Sequence, residues 1–276
     1  TANSAFGSFS FYSNVSGTNT SAFGYQTLYS NTTGDHNSSY GYQSLYSNTT
    51  GSFNSGIGYQ SLFTNTAGIN NVAVGDRALY LNITGSDNCS LGFHSLFNNT
   101  ASGNSSFGKD SLYTNTTGTN LAAFGYQALY GNTTGVNNSA FGYQTNFSNT
   151  NGAANSSLGY KALFSNTLGD DNCAIGINSL YANTSGGYNT AVGSASLYHN
   201  ISGNNNTAFG AESLFFNTAG DNSAFGYQAM FTNTNGTSNA AFGNQSLFGN
   251  TTGNDNSAFG HQSLYSNTIG GNNSAF

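Results

Sequence analysis

Apolar and polar residues follow one another along this chain in a single pattern that returns sixteen times. Each copy reads approximately N-S-A-F-G-Y-Q-S-L-Y-S-N-T-T-G-x-x, with its central glycine at Gly7, Gly24, Gly41, Gly58, Gly75, Gly92, Gly108 and onward to Gly260. The copies lie 17 residues apart, except for steps of 16 residues from Gly92 to Gly108 and from Gly210 to Gly226. A period this short leaves no room for a pair of helices and is typical of a β-solenoid with one coil per repeat.

The residues before each central glycine predict a short strand. The residue immediately before the glycine is always apolar or Tyr, and the residue two before it is always Ala, Ser or Gly. Large and small side chains that alternate in this way indicate a strand with one closely covered face.

A second apolar segment follows the glycine. Leu comes four residues after it in thirteen of the sixteen copies, with Phe11, Asn146 and Met230 in the others, and an aromatic residue always follows directly. Adjacent residues of a strand point to opposite faces, so only one of these rows can fill the core. We expect the other row to be covered by a second chain, and this predicts lateral association. The alternative is a local bend that turns both side chains inward.

Ionisable residues mark the corners of the coil. Except for His199, they lie one or two residues after the central glycine or eleven to twelve after it. Each coil is therefore predicted to run strand, corner, strand, corner. The predicted fold class is all-β: a parallel β-solenoid, or β-roll, of sixteen coils with about 17 residues and two strands per coil. The recurring glycine of the second corner, such as Gly34 or Gly51, is interpreted as supplying a positive φ.

The uniform repeat predicts one structural unit. Residues 1–276 are expected to form a single uncapped β-solenoid array, because no part of the chain departs from the pattern. An uncovered sheet edge invites pairing. We therefore expect the array to be a segment of a longer chain or a unit that stacks end to end.

Asparagine occupies the position seven residues after the glycine in every copy. Amides stacked in register can hydrogen-bond to their own copies and to the turn backbone, which predicts a structural ladder. Its members are Asn14, Asn31, Asn48, Asn65, Asn82, Asn99, Asn115, Asn132, Asn149, Asn166, Asn183, Asn200, Asn217, Asn233, Asn250 and Asn267. A second Asn row, four residues before the glycine, is interpreted in the same way.

Some of these residues also lie in N-x-S/T sequons, which makes N-glycosylation a competing explanation. The candidate sites are Asn31, Asn48, Asn115, Asn132 and Asn250. The sequon is absent from seven copies, as in Asn65-Thr66-Ala67, although the Asn stays, so packing explains the invariance better. The chain holds 21 sequons in total, which keeps a glycan-coated filament open as an alternative.

Composition excludes several classes of partner. Three Lys and Arg stand against nine Asp and Glu, and the formal net charge is −6. Phosphate binding needs clustered cations, so we expect no nucleic-acid partner. No apolar run is long enough for a transmembrane helix, so we expect no membrane insertion of this segment. Cys89 and Cys173 lie five coils apart, too far for a disulfide, and are interpreted as small inward side chains; an interchain bridge or a metal site is the alternative.

The repeat also argues against an active site, because it provides rows of one group where catalysis needs unlike groups that converge. We expect no enzyme activity and no cofactor or metal. Tyr25, Tyr42 and their copies form a stripe that might bind carbohydrate by stacking on sugar rings. The Thr that follows the ladder Asn in thirteen copies is a candidate ice-binding array.

The segments Asn70-Asn71-Val72-Ala73-Val74-Gly75 and Asn3-Ser4-Ala5-Phe6-Gly7 resemble the N-S-V-A-I-G repeat in the heads of trimeric autotransporter adhesins. The resemblance implies a left-handed parallel β-roll, three chains together and display on a bacterial surface. The sequence is also similar to tail fibres of phages and viruses and to other extracellular repeat fibre proteins.

These observations together predict a structural extracellular fibre or adhesin shaft built from stacked β-coils with Asn and aromatic ladders. The alternatives are an N-glycan-coated extracellular filament and a ligand- or ice-binding surface on a solenoid. The expected partner is a further copy of the chain, bound laterally or end to end, with a trimer as one arrangement. The expected location is extracellular or at the cell surface.

Overall fold

The computed structural model describes residues 2–276, in two units, Thr1–Asn137 and Asn138–Phe276. No helix occurs among these residues, so none is present that could cross a membrane. In each unit one short strand per coil lies parallel to the strands of the neighbouring coils. The predicted all-β, parallel β-solenoid of about sixteen coils with about 17 residues each is confirmed.

The first unit contains β1 (Ser4–Phe6), β2 (Ser21–Phe23), β3 (Ser38–Tyr40), β4 (Ser55–Ile57), β5 (Val72–Val74), β6 (Cys89–Leu91), β7 (Ser105–Phe107) and β8 (Ala122–Phe124). The second contains β9 (Ser139–Phe141), β10 (Ser156–Leu158), β11 (Cys173–Ile175), β12 (Thr190–Val192), β13 (Thr207–Phe209), β14 (Ser223–Phe225), β15 (Ala240–Phe242), β16 (Ser257–Phe259) and β17 (Ser274–Ala275). Within each unit consecutive strands pair so that equivalent residues are partners, as Ala22 is with Ser39. The constant repeat length causes this register, because each coil returns the chain to the same position.

The prediction of two strands per coil is wrong, because each coil contains one. The segment after the central glycine is a run of tight turns in which alternate residues have positive φ, such as Gln26 at 52° and Leu28 at 49°. Left-handed residues curl the backbone and prevent an extended strand. Leu28 is completely buried and the neighbouring Tyr29 is half-buried. The observed structure is therefore the local bend, which was the alternative to a second strand.

The core is a narrow stack of small and branched side chains. The middle residue of each internal strand is buried, and so is the Leu four residues after the glycine, as at Leu45 and Leu62. Burying a Leu contributes about 2 kcal/mol, and one Leu is added with almost every coil. The large residue before the glycine points outward, so that Phe23 is 38% exposed. Cys89 and Cys173, two residues before such positions, are half-buried on the same outer face and are not inward as predicted.

The two recurring glycines are required for different reasons. Gly24 of the first row has a φ of 136°, which L side chains rarely adopt, and a Cβ there would meet the carbonyl oxygen of Gly41. Gly34, in the second corner, does not have positive φ, contrary to the interpretation from the sequence. A Cβ at Gly34 would meet the side-chain oxygen of Asn31 at 2.6 Å, so this glycine permits a close approach. The left-handed residue of that corner is His36, at 56°.

Candidate functional site: the axial ladders

The predicted Asn ladder is present within each unit. Nδ2 of Asn48 donates one hydrogen bond to Oδ1 of Asn31, 2.8 Å away in the preceding coil, and another to the carbonyl oxygen of Gly51 at 2.9 Å. Asn65 repeats both bonds, to Asn48 at 2.8 Å and to its own turn glycine at 3.1 Å. Both amide protons are therefore used inside the coil, which satisfies a polar group that is completely buried.

The second Asn row meets the first at the turn glycine. The backbone N–H of Asn54 donates to Oδ1 of Asn37 at 2.9 Å, and Nδ2 of Asn37 donates to the carbonyl oxygen of Gly51 at 2.8 Å. That carbonyl also accepts from Asn48, so both ladders end on one oxygen. The absence of a side chain at Gly51 lets both amides reach it.

The structure places the sixteen predicted ladder residues in two series. In the first unit, Asn14 to Asn132 are joined by a hydrogen bond at every step. In the second unit, Asn149 to Asn267 are joined in the same way, except between Asn200 and Asn217. Oδ1 of Asn200 is buried and, among the described residues, has no hydrogen-bond partner.

The interruption has its cause in the two 16-residue steps. In each of these coils the ladder Asn turns to a carbonyl two residues ahead, where the other coils use one three residues ahead: Asn99 to Ala101 at 2.8 Å, and Asn217 to Ala219 at 2.7 Å. The bond from Asn99 to Asn82 is stretched to 3.5 Å, and the corresponding bond to Asn200 is lost. Sequence reasoning missed this defect, although the shortened spacing was its signal.

Glycosylation at the five predicted sites is incompatible with the folded coil. Asn31, Asn48, Asn115, Asn132 and Asn250 have no exposed surface. A glycan is attached through Nδ2, and in each of these residues Nδ2 already donates two hydrogen bonds. Other sequon asparagines are exposed, namely Asn19, Asn137, Asn205, Asn235, Asn244 and Asn272.

The aromatic residue five positions after the glycine forms an unbroken ring stack in each unit. In the first unit the rings from Tyr12 to Tyr130 stack with centroids 5.0 to 5.3 Å apart. In the second unit the rings from Phe147 to Tyr265 do the same over the same range of distances. Each ring is covered by its own copies, so this row does not require the second chain that the sequence argument invoked.

The Tyr stripe after the glycine is stacked as well, which matters for carbohydrate binding. Tyr42 lies between Tyr25 and Tyr59, with centroids at 5.3 and 5.2 Å. Phe9 packs edge-on against Tyr25 at 6.3 Å, and the guanidinium of Arg77 lies 5.5 Å from the ring centre of Tyr59. A sugar stacks on a free ring face, and these faces are covered. The geometry of this stripe therefore does not favour the predicted stacking on sugars.

All three basic side chains of the chain cover aromatic rings. Nζ of Lys109 lies 5.6 Å from the ring centre of Phe93 and 5.9 Å from that of Tyr126. Arg77 and Lys161 make similar contacts. Such a contact is worth about 0.5–1 kcal/mol at an exposed position. The scarce cations thus act as ring-covering groups and do not form a phosphate-binding patch.

A Gln ladder, two residues after the glycine, has a fixed direction along the chain. Nε2 of Gln60 donates to Oε1 of Gln43 at 2.9 Å, and Nε of Arg77, one coil later, donates to Oε1 of Gln60 at 3.4 Å. In the second unit Nε2 of Gln228 donates to Oε2 of Glu212 at 2.8 Å. Arg can only donate and ionised Glu can only accept. Each charged residue therefore lies at the end of the ladder where its chemistry fits.

The Thr row next to the ladder Asn is part of the same bonding. Oγ1 of Thr32 donates to the backbone carbonyl of Thr49 at 3.0 Å, and Thr49 donates to Thr66 at 3.0 Å. The hydroxyl proton is therefore directed along the coil stack and not toward solvent. This arrangement does not favour the ice-binding alternative.

Charges concentrate in one place, around His94. Nδ1 of His94 lies 3.6 Å from Oδ1 of Asp110, and Nε2 is buried without a hydrogen-bond partner among the described residues. Burial lowers the pKa of His94, and the Asp110 carboxylate opposes this effect; Arg77, Asp76 and Lys109 contribute less or in mixed directions. Within residues 2–276 no group of three or more His, Cys, Asp or Glu residues could hold a metal ion.

No protein-family model, curated protein or solved structure matches this chain. The likeness to adhesin heads therefore rests on the strand motif alone and stays a prediction. The structural basis for a function is the set of ladders that links each coil to the next.

Proposed function

We propose that the chain is a structural element, the shaft of an extracellular fibre or adhesin. The observation that carries this proposal is the repeated bonding between coils: two buried Asn ladders, an aromatic stack and the paired strands. A buried amide with both protons donated resists displacement, because an unsatisfied amide costs about 1–3 kcal/mol. The same bonds recur coil after coil, and a solenoid distributes its stability over such nearest-neighbour contacts.

The surface supports a scaffold rather than a catalyst. Each row presents copies of one group, such as the Tyr stripe or the Thr row, whereas catalysis needs a nucleophile, a base and an oxyanion donor in one place. The rows also spend their hydrogen-bonding groups on one another. The surface therefore offers repetition, which is the property that a shaft requires.

Two features support a location outside the cell. The chain holds only three Lys and Arg, so it offers few cleavage points to proteases that cut after basic residues. Its backbone is hydrogen-bonded from coil to coil in the strands and in the turns, which hinders local opening. The resemblance of the strand motif to adhesin heads points to the same location.

Gold-labelled antibodies raised against residues 2–276 test the proposal on intact cells of the source organism. We expect label along filaments or appendages without permeabilisation of the cells. Label that appears only after permeabilisation, or that is diffuse in the medium, would contradict a surface shaft. Competition with the purified chain provides the control for specific labelling.

A second candidate is a filament coated with N-glycans, and the exposed sequons favour it. Asn235 and Asn244 are exposed and lie outside both Asn ladders. Under this candidate the native protein carries glycans at exposed sequons and none at Asn48. Intact-mass measurement and peptide mapping of protein from its natural source, before and after treatment with an amidase that removes N-glycans, decide this. A native mass equal to that of the bare chain eliminates the candidate.

A further inference from the structure

The outer face of the strands in the second unit forms a neutral apolar strip. We define the strip as the first and third residues of β9–β16, whose side chains point away from the buried middle residue. The first residues are small, and the third are large and apolar. No Asp, Glu, Lys, Arg or His belongs to the strip, although the chain carries a net charge of −6. Two copies of this face can therefore meet without the repulsion that charged faces would produce.

The large residues of the strip divide into a low part and a high part. Leu158, Ile175 and Val192 follow one another in the low part. Phe209 and Phe225 begin the high part, and their rings stack at 5.1 Å. The next two strands continue this stack at 4.7 and 4.9 Å. The strip thus steps from three aliphatic residues to a run of rings.

An open cleft lies over the low part. It has a volume of about 190 Å³ and is lined by Phe141, Leu158, Cys173 and Ile175 together with three Ser residues. An apolar cavity of about 150 Å³ accepts a benzene molecule. The cleft is therefore large enough for one aromatic side chain.

The first unit repeats this size pattern. Ile57, Val74 and Leu91 lie between the aromatic residues Tyr40 and Phe107 in the corresponding row. Each unit thus contains three aliphatic residues in sequence, although nothing in the core requires this, because these side chains point outward. A selective pressure on the outer face accounts for the pattern.

We propose that the strip binds the same strip of a second copy of this chain, antiparallel, with the rings of each copy in the low part of the other. A two-fold axis between β12 and β13 places Val192 opposite the partner's Phe209, Ile175 opposite the partner's Phe225, and Leu158 opposite the partner's Phe242. Three aliphatic positions then match three ring positions, and the two-fold makes each contact occur twice. The partner is a second copy because only an identical solenoid has the same spacing between its coils.

The size of the strip sets the strength of the contact. Eight strands about 4.8 Å apart and about 10 Å wide project about 400 Å² per copy, or about 800 Å² for the pair. Standard specific interfaces bury about 1,200–2,000 Å² in total. The contact is therefore weak for one pair and gains strength where many copies lie side by side. The inference rests on the shaft role proposed above, to which it adds a lateral contact.

Sedimentation equilibrium of the full chain from 1 to 500 μM tests the proposal in solution. We expect a reversible dimer, and a Kd that rises at least tenfold in Ile175→Phe, which fills the cleft. Phe occupies the equivalent position in other coils, so this variant keeps the fold, as circular dichroism checks. The matched control is Leu168→Phe, a substitution of an exposed corner residue that leaves the Kd unchanged. A chain that is monomeric throughout this range, or an Ile175→Phe variant that dimerises like the unaltered chain, overturns the proposal.

A reciprocal exchange tests the pairing itself. Because residue 175 faces the partner's residue 225, the double variant Ile175→Phe with Phe225→Ile is expected to restore the dimer that each single change weakens. Failure of the double variant to regain affinity overturns the antiparallel pairing. In a Cys89→Ser background, the alkylation rate of Cys173 should fall as the chain concentration rises. Association without such protection identifies an end-to-end contact, and it overturns the proposal while leaving the shaft role intact.

Discussion

Nδ2 of Asn48 lies 2.8 Å from Oδ1 of Asn31, one coil earlier along the chain. The distance is short because the turn glycines have no side chains and the strands of these coils pair in register. This contact shows how the repeat produces stability: identical residues meet, and an amide is one of the few side chains that can both donate to and accept from its own copy.

Replacement of Asn48 by Asp should be strongly destabilising. The carboxylate removes the donor and places negative charge against Oδ1 of Asn31 and the carbonyl of Gly51. We expect the free energy of unfolding to fall by about 3 kcal/mol or more, as for a buried unsatisfied or charged group. Urea unfolding followed by circular dichroism measures this. Asn244→Asp, at an exposed position, is the control; equal losses in both variants would contradict a load carried by the ladder.

Replacement of Asn146 by Leu should stabilise the chain. Asn146 occupies the core position that holds Leu in most coils, is completely buried, and neither its Nδ2 nor its Oδ1 has a hydrogen-bond partner among the described residues. Leu removes the unsatisfied amide and adds buried apolar surface, so we expect a gain of about 3 kcal/mol. The urea midpoint should rise, whereas that of the exposed-site control Asn235→Leu should change little. An unchanged midpoint in Asn146→Leu would mean that the amide has an unseen role.

Lengthening the second shortened coil should repair the Asn ladder. A Gly inserted after Ala219 produces N-T-A-G-G-D-N, which has the length of the Asn267 turn N-T-I-G-G-N-N. With the normal spacing restored, Asn217 can donate to the orphaned Oδ1 of Asn200, and we expect a gain of about 1 kcal/mol. The same insertion after Gly186, in a coil of normal length, should destabilise. Stability that falls in both variants would refute the assignment of the defect to coil length.

The direction of the Gln ladder predicts unequal effects of two substitutions at Glu212. Glu212→Gln keeps an acceptor for Nε2 of Gln228, whereas Glu212→Lys places a donor against a donor. We expect the Gln variant to match the unaltered chain and the Lys variant to lose about 1 kcal/mol. Thermal unfolding of the two variants at neutral pH makes the comparison. If the Gln variant lost as much as the Lys variant, the carboxylate charge and not the ladder would matter.

Stability should depend on pH through His94. Its folded pKa lies below the ordinary value of 6.5, mainly because of burial and despite the nearby Asp110 carboxylate. Protonation therefore favours the unfolded chain, so the stability present above pH 6.5 is lost as the pH falls below that value. The variant His94→Gln should lose this part of the pH dependence in urea titrations between pH 5 and 8. His261→Gln, at an exposed position, is the control and should retain it.

Several features of the fold follow from comparing the repeats position by position. An invariant Asn such as Asn65 must face its own copies, and an invariant glycine such as Gly24 marks a site where no side chain fits. The central glycine, the ladder Asn and the buried Leu were all predictable for this reason. What could not be read in this way was the direction of neighbouring side chains. The sequence alone left Leu28 and Tyr29 on opposite faces of a supposed strand, whereas the left-handed φ of Leu28 places Leu inside and lets the rings stack.

The sequence by itself determined that equivalent residues stack on one another at a spacing of 17, and hence the parallel solenoid and its ladders. Only the tertiary structure decided which rows are inside. It buried the five candidate glycosylation sites, covered the faces of the Tyr stripe and turned the Phe row before the glycine outward. The physical reason is that a repeat specifies contacts between coils, which are the same at every step. The faces are set by how each coil closes on itself, and that closure depends on the left-handed turn residues, whose conformation becomes visible only in the folded chain.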